Sequence, residues 1–347
     1  MYIKRILLLL VFIGLIVGGI FSYTVYTAFF SPNTTFNNKE AFVFIRTGAT
    51  MLDVKNSLEP LLRDVEKFES AAQRKGYAQN VRAGKYRIVK GMNNNEIINT
   101  LRVENVPVTV AFNNQENLAD LAGRISVQIE ADSTSILREL TDEQFLSQNN
   151  IDKENSLALY IPNSYEFFWN TNAKEFRERM IKEHSRFWNE ERKQKAKTLG
   201  LTPKEVVTLA SIVQKETAKV DERPKVAGVY LNRLKTGMLL QADPTVIYGI
   251  KKETGNFDTI IKRVLYRDLE LDSPYNTYKY VGLPPGPITM PDISSVDAVL
   301  NPEKHDYYYF VANVEKFGYH MFAKNLTQHN RNKEQYVRWL NAQKIKR

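Results

Sequence analysis

From Ile6 to Phe21 every residue is apolar or glycine, and the run continues through Ser22, Tyr23, Thr24 and Val25. That is about the 20 residues a helix needs to span a bilayer. Lys4 and Arg5 precede the run, and Tyr23, Tyr26, Phe29 and Phe30 offer an interfacial aromatic belt. Basic residues ahead of the span keep the N-terminus cytoplasmic and put the chain beyond about Phe30 outside. A cleaved signal peptide is the competing reading. No small-x-small cleavage site follows and the run is long for a signal core, so residues 1–30 are expected to be a cytoplasmic tip and an uncleaved, single-pass anchor in the cytoplasmic (inner) membrane.

The composition narrows the chemistry outside that membrane. With no cysteine there are no disulfides, thiolate nucleophiles or cysteine metal sites. The four histidines, His184, His305, His320 and His329, lack metal-ligand spacing, and no glycine-rich phosphate loop is present, so no cofactor is expected. The net charge is +9, but the cations are scattered and no nucleic-acid motif accompanies them. A basic exterior facing anionic lipid or an anionic polymer fits better.

Three regions follow the anchor, and together they predict an α+β fold. Residues 40–105 carry a weak repeat: Ile45-Arg46-Thr47-Gly48 with Val54 and Leu58 at +6 and +10, then Ile88-Val89-Lys90-Gly91 with Ile97 and Leu101 at the same offsets. Each copy reads as strand, turn glycine and amphipathic helix. The pattern resembles a LysM-like glycan-binding module, with a small α/β spacer as the alternative. Residues 106–200 form a connecting part: a strand at Val108–Phe112, helices around Asn117–Ala122 and Thr134–Leu140, a proline- and aromatic-broken stretch at Tyr160–Phe167, and one long charged helix from about Ala173 to Ala196. Residues 201–335 hold the densest turn chemistry.

Within that last region Glu216 stands out. Thr202 is a natural N-cap, Pro203 suits the first helical position and Glu205 completes a capping box. On the resulting helix Leu209, Ile212, Val213 and Glu216 share one face at i, i+3, i+4 and i+7. A carboxyl on an apolar face either finds a partner, here Lys215 or Arg223, or is desolvated toward the pKa range of a general acid.

The surrounding residues read as follows. Asp221-Glu222-Arg223-Pro224 starts a second helix, lined by Val226, Val229, Tyr230 and Leu234 and closed by Gly237. Asp243 before Pro244 reads first as the N-cap of a third helix. Gly282-Leu283-Pro284-Pro285-Gly286-Pro287-Ile288 must be a rigid turn. Nearby tyrosines and asparagines offer flat faces and amides suited to sugar. Tyr307–Ala312 and Tyr319–Phe322 read as strands, the first of them buried.

Taken together, Ala210-Ser211-Ile212-Val213-x-Lys215-Glu216-Thr217, Asn232-Arg233-Leu234, Leu240-Gln241-x-Asp243-Pro244-Thr245-Val246-x-Tyr248-Gly249, Tyr275-Asn276-Thr277-Tyr278 and the Pro-Gly turn resemble the YceG-like family, the MltG-type endolytic murein transglycosylases. The resemblance spans nearly everything beyond the anchor. It implies an endolytic peptidoglycan lytic transglycosylase with Glu216 as the catalytic residue, acting on nascent glycan strands near the membrane, where cell-wall synthases are plausible partners. Where the family often has Glu, this chain has Gln214.

Glycosidases usually need two carboxylates. A lytic transglycosylase needs one, because the muramic acid C6 hydroxyl attacks C1 intramolecularly. On this reading Glu216 protonates the glycosidic oxygen and then accepts the C6 hydroxyl proton. Asn232, Gln241 and Asn276, with the rings of Tyr248, Tyr275 and Tyr278, are the candidate substrate contacts, joined by Asp243 and Thr277. Arg233 is available for a lactyl or peptide carboxylate. Two alternatives stay open: a muramidase in which Asp243 or Asp221 positions water, and a non-catalytic wall-binding scaffold.

Overall fold

The computed structural model describes residues 2–342. Helix α1 (Tyr2–Phe30) is the one helix among the described residues long and apolar enough to cross a membrane, and none of its apolar window is buried against protein. The chain divides into two compact units: residues 1–110, 127–131 and 165–172, and residues 111–126, 132–164 and 173–347.

The first unit is built on the repeat. Strand β1 (Glu40–Ile45) leads through Gly48, at φ 77°, into α2 (Met51–Leu58). After α3 (Val65–Arg74), strand β2 (Gly84–Val89) leads through Gly91, at φ 90°, into α4 (Asn94–Val103). Both turns need the left-handed backbone that glycine adopts freely. Both helices open with a capping box, Thr50 with Asp53 and Asn93 with Glu96. The strands pair antiparallel from Glu40 opposite Val89 to Ile45 opposite Gly84. Val54, Leu58, Ile97 and Leu101 are all fully buried, so the shared +6 and +10 offsets are the two core-facing rungs. The Asn94 amide donates to the Ala28 carbonyl at 2.7 Å, tying the end of α1 to this core. Outward on β1, Phe42 and Phe44 stay exposed; Trp169 sits edge-on to Phe44 at 5.1 Å and Lys85 lies 4.3 Å over Phe42.

Strands β3 (Pro107–Phe112) and β4 (Asn163–Phe168) pair with each other where the chain passes between the units. Helices α5 (Leu118–Ser126), α6 (Ser133–Leu140) and α7 (Glu143–Gln148) and the 3₁₀ turn Lys153–Leu159 come next. The long charged helix expected from Ala173 to Ala196 is two helices, α8 (Ala173–Phe187) and α9 (Glu190–Leu199). Asn189 breaks it: its side chain accepts from the Arg192 N–H and caps the second helix, while Trp188 turns into the core.

Helix α10 (Pro203–Glu216) is the axis of the second unit. Every residue from Val206 to Val213 is buried, and it packs against α11 (Arg223–Lys235), α12 (Asp243–Thr254) and α13 (Ile293–Leu300). A helix buried all round sits in the middle of a core. Strands β5 (Tyr309–Ala312) and β6 (His320–Ala323) form an antiparallel ribbon, and α14 (Leu326–Ala342) closes the unit. The first of these strands was expected to be buried. It is half-buried along its length, because a two-stranded ribbon has only one covered face.

Candidate functional site

The expected capping of α10 is present in full: Thr202 caps, Pro203 follows, and Glu205 returns the bond. That fixes where the helix begins and therefore which direction each later residue faces. Ser211 donates to the Thr208 carbonyl at 2.7 Å and accepts the Ile288 N–H at 3.0 Å, which pins the Pro-Gly turn to the helix. The turn also lies against the segment around Glu154. A β-carbon on Gly286 would come 2.2 Å from the Glu154 carbonyl oxygen, so only glycine fits. Gln214 accepts the Asp292 N–H at 2.5 Å and the Ser295 hydroxyl at 3.1 Å. It holds the start of α13, whose N-cap residue Asp292 makes no side-chain cap bond, and a neutral amide oxygen suffices for that.

Glu216 ends the helix half-buried. Neither cation offered by the sequence pairs with it: Lys215 bonds Glu116, and Arg223 bonds Ser294 and lies near Asp292. Among the described residues its one hydrogen-bond donor is the hydroxyl of Tyr230, 2.7 Å from Oε1. Burial pushes the Glu216 carboxyl up to about 7; the Tyr230 bond works against that, the charge of Asp243 adds to it, and Arg233 opposes it. Tyr230 is buried at 1% exposure on α11, and its ring meets Phe310 edge-on. In the sequence it reads as a packing residue, in line with Val226, Val229 and Leu234. The signal available was that a buried tyrosine needs a partner for its hydroxyl.

Asp243 is not the N-cap of α12. Ala242 occupies that position without a side-chain bond, and Asp243 is the first helical residue. Its exposed carboxylate accepts a 2.5 Å hydrogen bond from Tyr278, leaving it near enough to Glu216 to act on it through charge. The cap fails because Thr277 has taken over the local bonding: its hydroxyl accepts the Ala242 N–H at 3.0 Å and shares a 2.8 Å bond with Thr245. Tyr230, Arg233, Asp243 and Tyr278 are thus all within electrostatic reach of Glu216.

The other candidates are held differently. Asn232 spends its amide on the carbonyls of His305 and Tyr307 at 2.8 and 3.1 Å. Arg233, buried, donates to the Tyr308 carbonyl at 2.7 Å and the Leu240 carbonyl at 2.6 Å. Asn276, fully buried, donates to the carbonyls of Leu269 and Leu271 and accepts from the Tyr278 N–H. Thr277 is buried as described. These four build the backbone frame of the site. Tyr275 is buried too, with its hydroxyl 2.7 Å from Glu154. Gln241 is exposed at φ 47°, its N–H bonded to the Thr277 carbonyl. Tyr248 is half-buried against Tyr275 and Phe257, with its hydroxyl pushed up to about 12 by burial. It walls a cleft of about 320 Å³ beside Lys215 and Pro244. Asp221, the other acid considered, accepts from Tyr319 on the surface.

Residues 43–335 match the YceG-like family. A protein named endolytic murein transglycosylase from Bacillus subtilis (strain 168) is 32% identical over 342 residues, covering 93% of this chain and 91% of that protein. A protein of the same name from Streptococcus pneumoniae serotype 2 is 29% identical over 363 residues, covering 94% of this chain and 64% of the longer relative. The crystal structure of a YceG-like protein from Listeria monocytogenes superposes with a TM-score of 0.57 at 28% identity, covering 85% of this chain and 99% of that one.

Proposed function

This chain belongs to the YceG-like family, and from that premise we propose that it is an endolytic lytic transglycosylase of peptidoglycan with Glu216 as its acid and base. The observation that carries the reading is a carboxyl with one neutral donor, poised at about 7 by burial. A general acid works best when its pKa lies near the working pH. Tyr230 donates to Oε1, so the transferable proton belongs on Oε2. Glu216 gives that proton to the oxygen between N-acetylmuramic acid and N-acetylglucosamine, and the C1–O bond breaks. The C6 hydroxyl closes on C1, its proton passes to Glu216, and a 1,6-anhydro end remains. No water is consumed, so no second carboxylate has to activate one.

Asp243, exposed and held by Tyr278, is suited to offset the positive charge that develops at C1. It is the residue a muramidase would use to position water, and product chemistry separates the two readings. Full-length protein in detergent, incubated with purified glycan strands, should yield products lighter by one water than hydrolysis products when read by mass spectrometry. Reducing ends instead would establish hydrolysis.

Two further parts of the reading concern placement. Helix α1 serves as a single-pass anchor with the remainder outside, motivated by Lys4 and Arg5 before the apolar run. Protease added to spheroplasts should digest the outer part, and full protection would reverse the orientation. The first unit acts as a LysM-like glycan-positioning module, for which Phe42, Phe44 and Trp169 supply the stacking surface. Alanine at both phenylalanines should weaken retention on insoluble peptidoglycan; unchanged retention would make the unit a spacer. Such placement sets the enzyme beside cell-wall synthases on nascent strands.

A further inference from the structure

Arg233 was the cation the sequence offered for an acidic group on the substrate, and the structure spends it on two backbone carbonyls. A different pair of cations lines the cleft walled by Tyr248 and Pro244. Lys215 precedes Glu216 on α10, and Lys251 lies on α12, two turns after Asp243. Both reach Glu116: the Lys215 Nζ is 2.6 Å from Oε1 and the Lys251 Nζ 2.7 Å from Oε2. Burial alone would raise the Glu116 carboxyl, but the two ammonium groups outweigh it and hold it below the usual range. It stays an anion that orients both lysines.

The count of donors then matters. Each ammonium has three N–H donors and spends one on Glu116. Two cations on one anion leave an excess positive charge, with Lys251 mostly buried and Lys215 about one-third exposed. The cleft they face is about 320 Å³, the lower end of the size of small-ligand sites, and has apolar walls from Ile247, Tyr248, Phe257 and Ile260. Exposed Asp258 lies on the rim, where water screens it.

We propose that this cleft receives a carboxylate of the peptide stem carried by the muramyl residue, so that the enzyme prefers peptide-bearing glycan to naked glycan. This rests on the transglycosylase reading of Glu216 and names what that site selects. The muramyl lactyl group projects from the sugar whose C1 reacts, and the cleft is lined by Lys215 and Pro244, the chain neighbours of Glu216 and Asp243, so its peptide would lie there. A carboxylate there gains charge-assisted bonds from the spare lysine donors, while the peptide's methyl groups lie on Tyr248 and Phe257.

Full-length protein in detergent should cleave peptide-bearing strands with a kcat/KM roughly ten-fold above that for strands stripped by an amidase. Lys251→Gln should bring that ratio toward one, mainly through KM, and Lys251→Arg should restore it. A wild-type ratio of one, or an equal loss on both substrates in Lys251→Gln, would overturn the proposal. Binding of muramyl dipeptide and its carboxamide analogue, titrated against Glu216→Gln protein, tests the cleft without catalysis. Tighter binding of the free acid, lost in the Glu216→Gln/Lys251→Gln double variant, supports it. Equal affinities overturn it whatever the outcome for Glu216. If the acid-selective binding is present while no anhydro product forms, the transglycosylase reading fails alone.

Discussion

Half-buried Glu216 and buried Glu222 are carboxylates six residues apart, on either side of the turn between α10 and α11, and they live under opposite conditions. Glu222 accepts the Thr217 hydroxyl at 3.0 Å, the His320 N–H at 2.7 Å and the His320 Nδ1 at 2.8 Å. Its oxygens are satisfied, and they join the end of α10 to β6. Glu216 has one donor among the described residues, Tyr230, and is left short of what an anion needs. Saturated with donors, a carboxylate is a fastener; starved of them, it holds a proton it can give away.

The contrast is broken most directly by the same substitution at both sites. Glu216→Gln should lower formation of anhydro ends by about 10²–10⁴-fold, the usual worth of general acid–base assistance, with the melting temperature maintained at neutral pH. Glu222→Gln should do the reverse. Its amide nitrogen would face a donor inside the core, costing about 1–3 kcal/mol of stability, while the folded fraction keeps most of its activity. Parallel calorimetry and product assays read both; a Glu216→Gln enzyme near wild-type rate would remove the distinction.

Tyr230→Phe comes next in size. Loss of the one donor should cost about ten-fold in rate. The activity of the wild type should fall as pH rises past about 7, where Glu216 loses its proton. Since the Tyr230 bond favours the anion, its removal should move that fall to higher pH. Asp243→Asn should move it the other way, because the Asp243 charge disfavours the anion, and should leave measurable activity. A pH–rate profile that stays put in both variants would detach Glu216 from its surroundings.

The smallest effect concerns stability. A carboxyl raised to about 7 in the fold, against about 4.3 unfolded, favours the folded state fully only below the lower value and loses that advantage as pH rises through 7. Glu216→Gln should therefore be more stable relative to wild type at pH 8 than at pH 5, by a few degrees at most.

What the sequence disclosed of this arrangement follows the range of the interactions. The cap of α10 and the two glycine turns with their buried +6 and +10 positions depend on neighbours within a dozen residues, and all are present. The apolar placement of Glu216 was legible for the same reason. Its donor was not, since Tyr230 lies on another helix and reads as packing there. Glu116 reaches Lys215 across 99 positions, a meeting no local pattern encodes. The cap assigned to Asp243 failed on a competitor from a distant turn, Thr277. The break between α8 and α9 was local and readable: Asn189 with acidic residues following is a helix start within a charged run.

One consequence follows from how α10 distributes its last six residues. Ser211 holds the Pro-Gly turn, Gln214 holds the start of α13, Lys215 faces the cleft and Glu216 meets Tyr230, so four duties are aimed by a single screw. An α-helix turns about 100° per residue. Individual side chains there can be exchanged for others that make the same contact. Adding or deleting one residue between Thr202 and Glu216 would swing every duty beyond the change to a neighbour's bearing at once. In this stretch the number of residues is under tighter constraint than their identity.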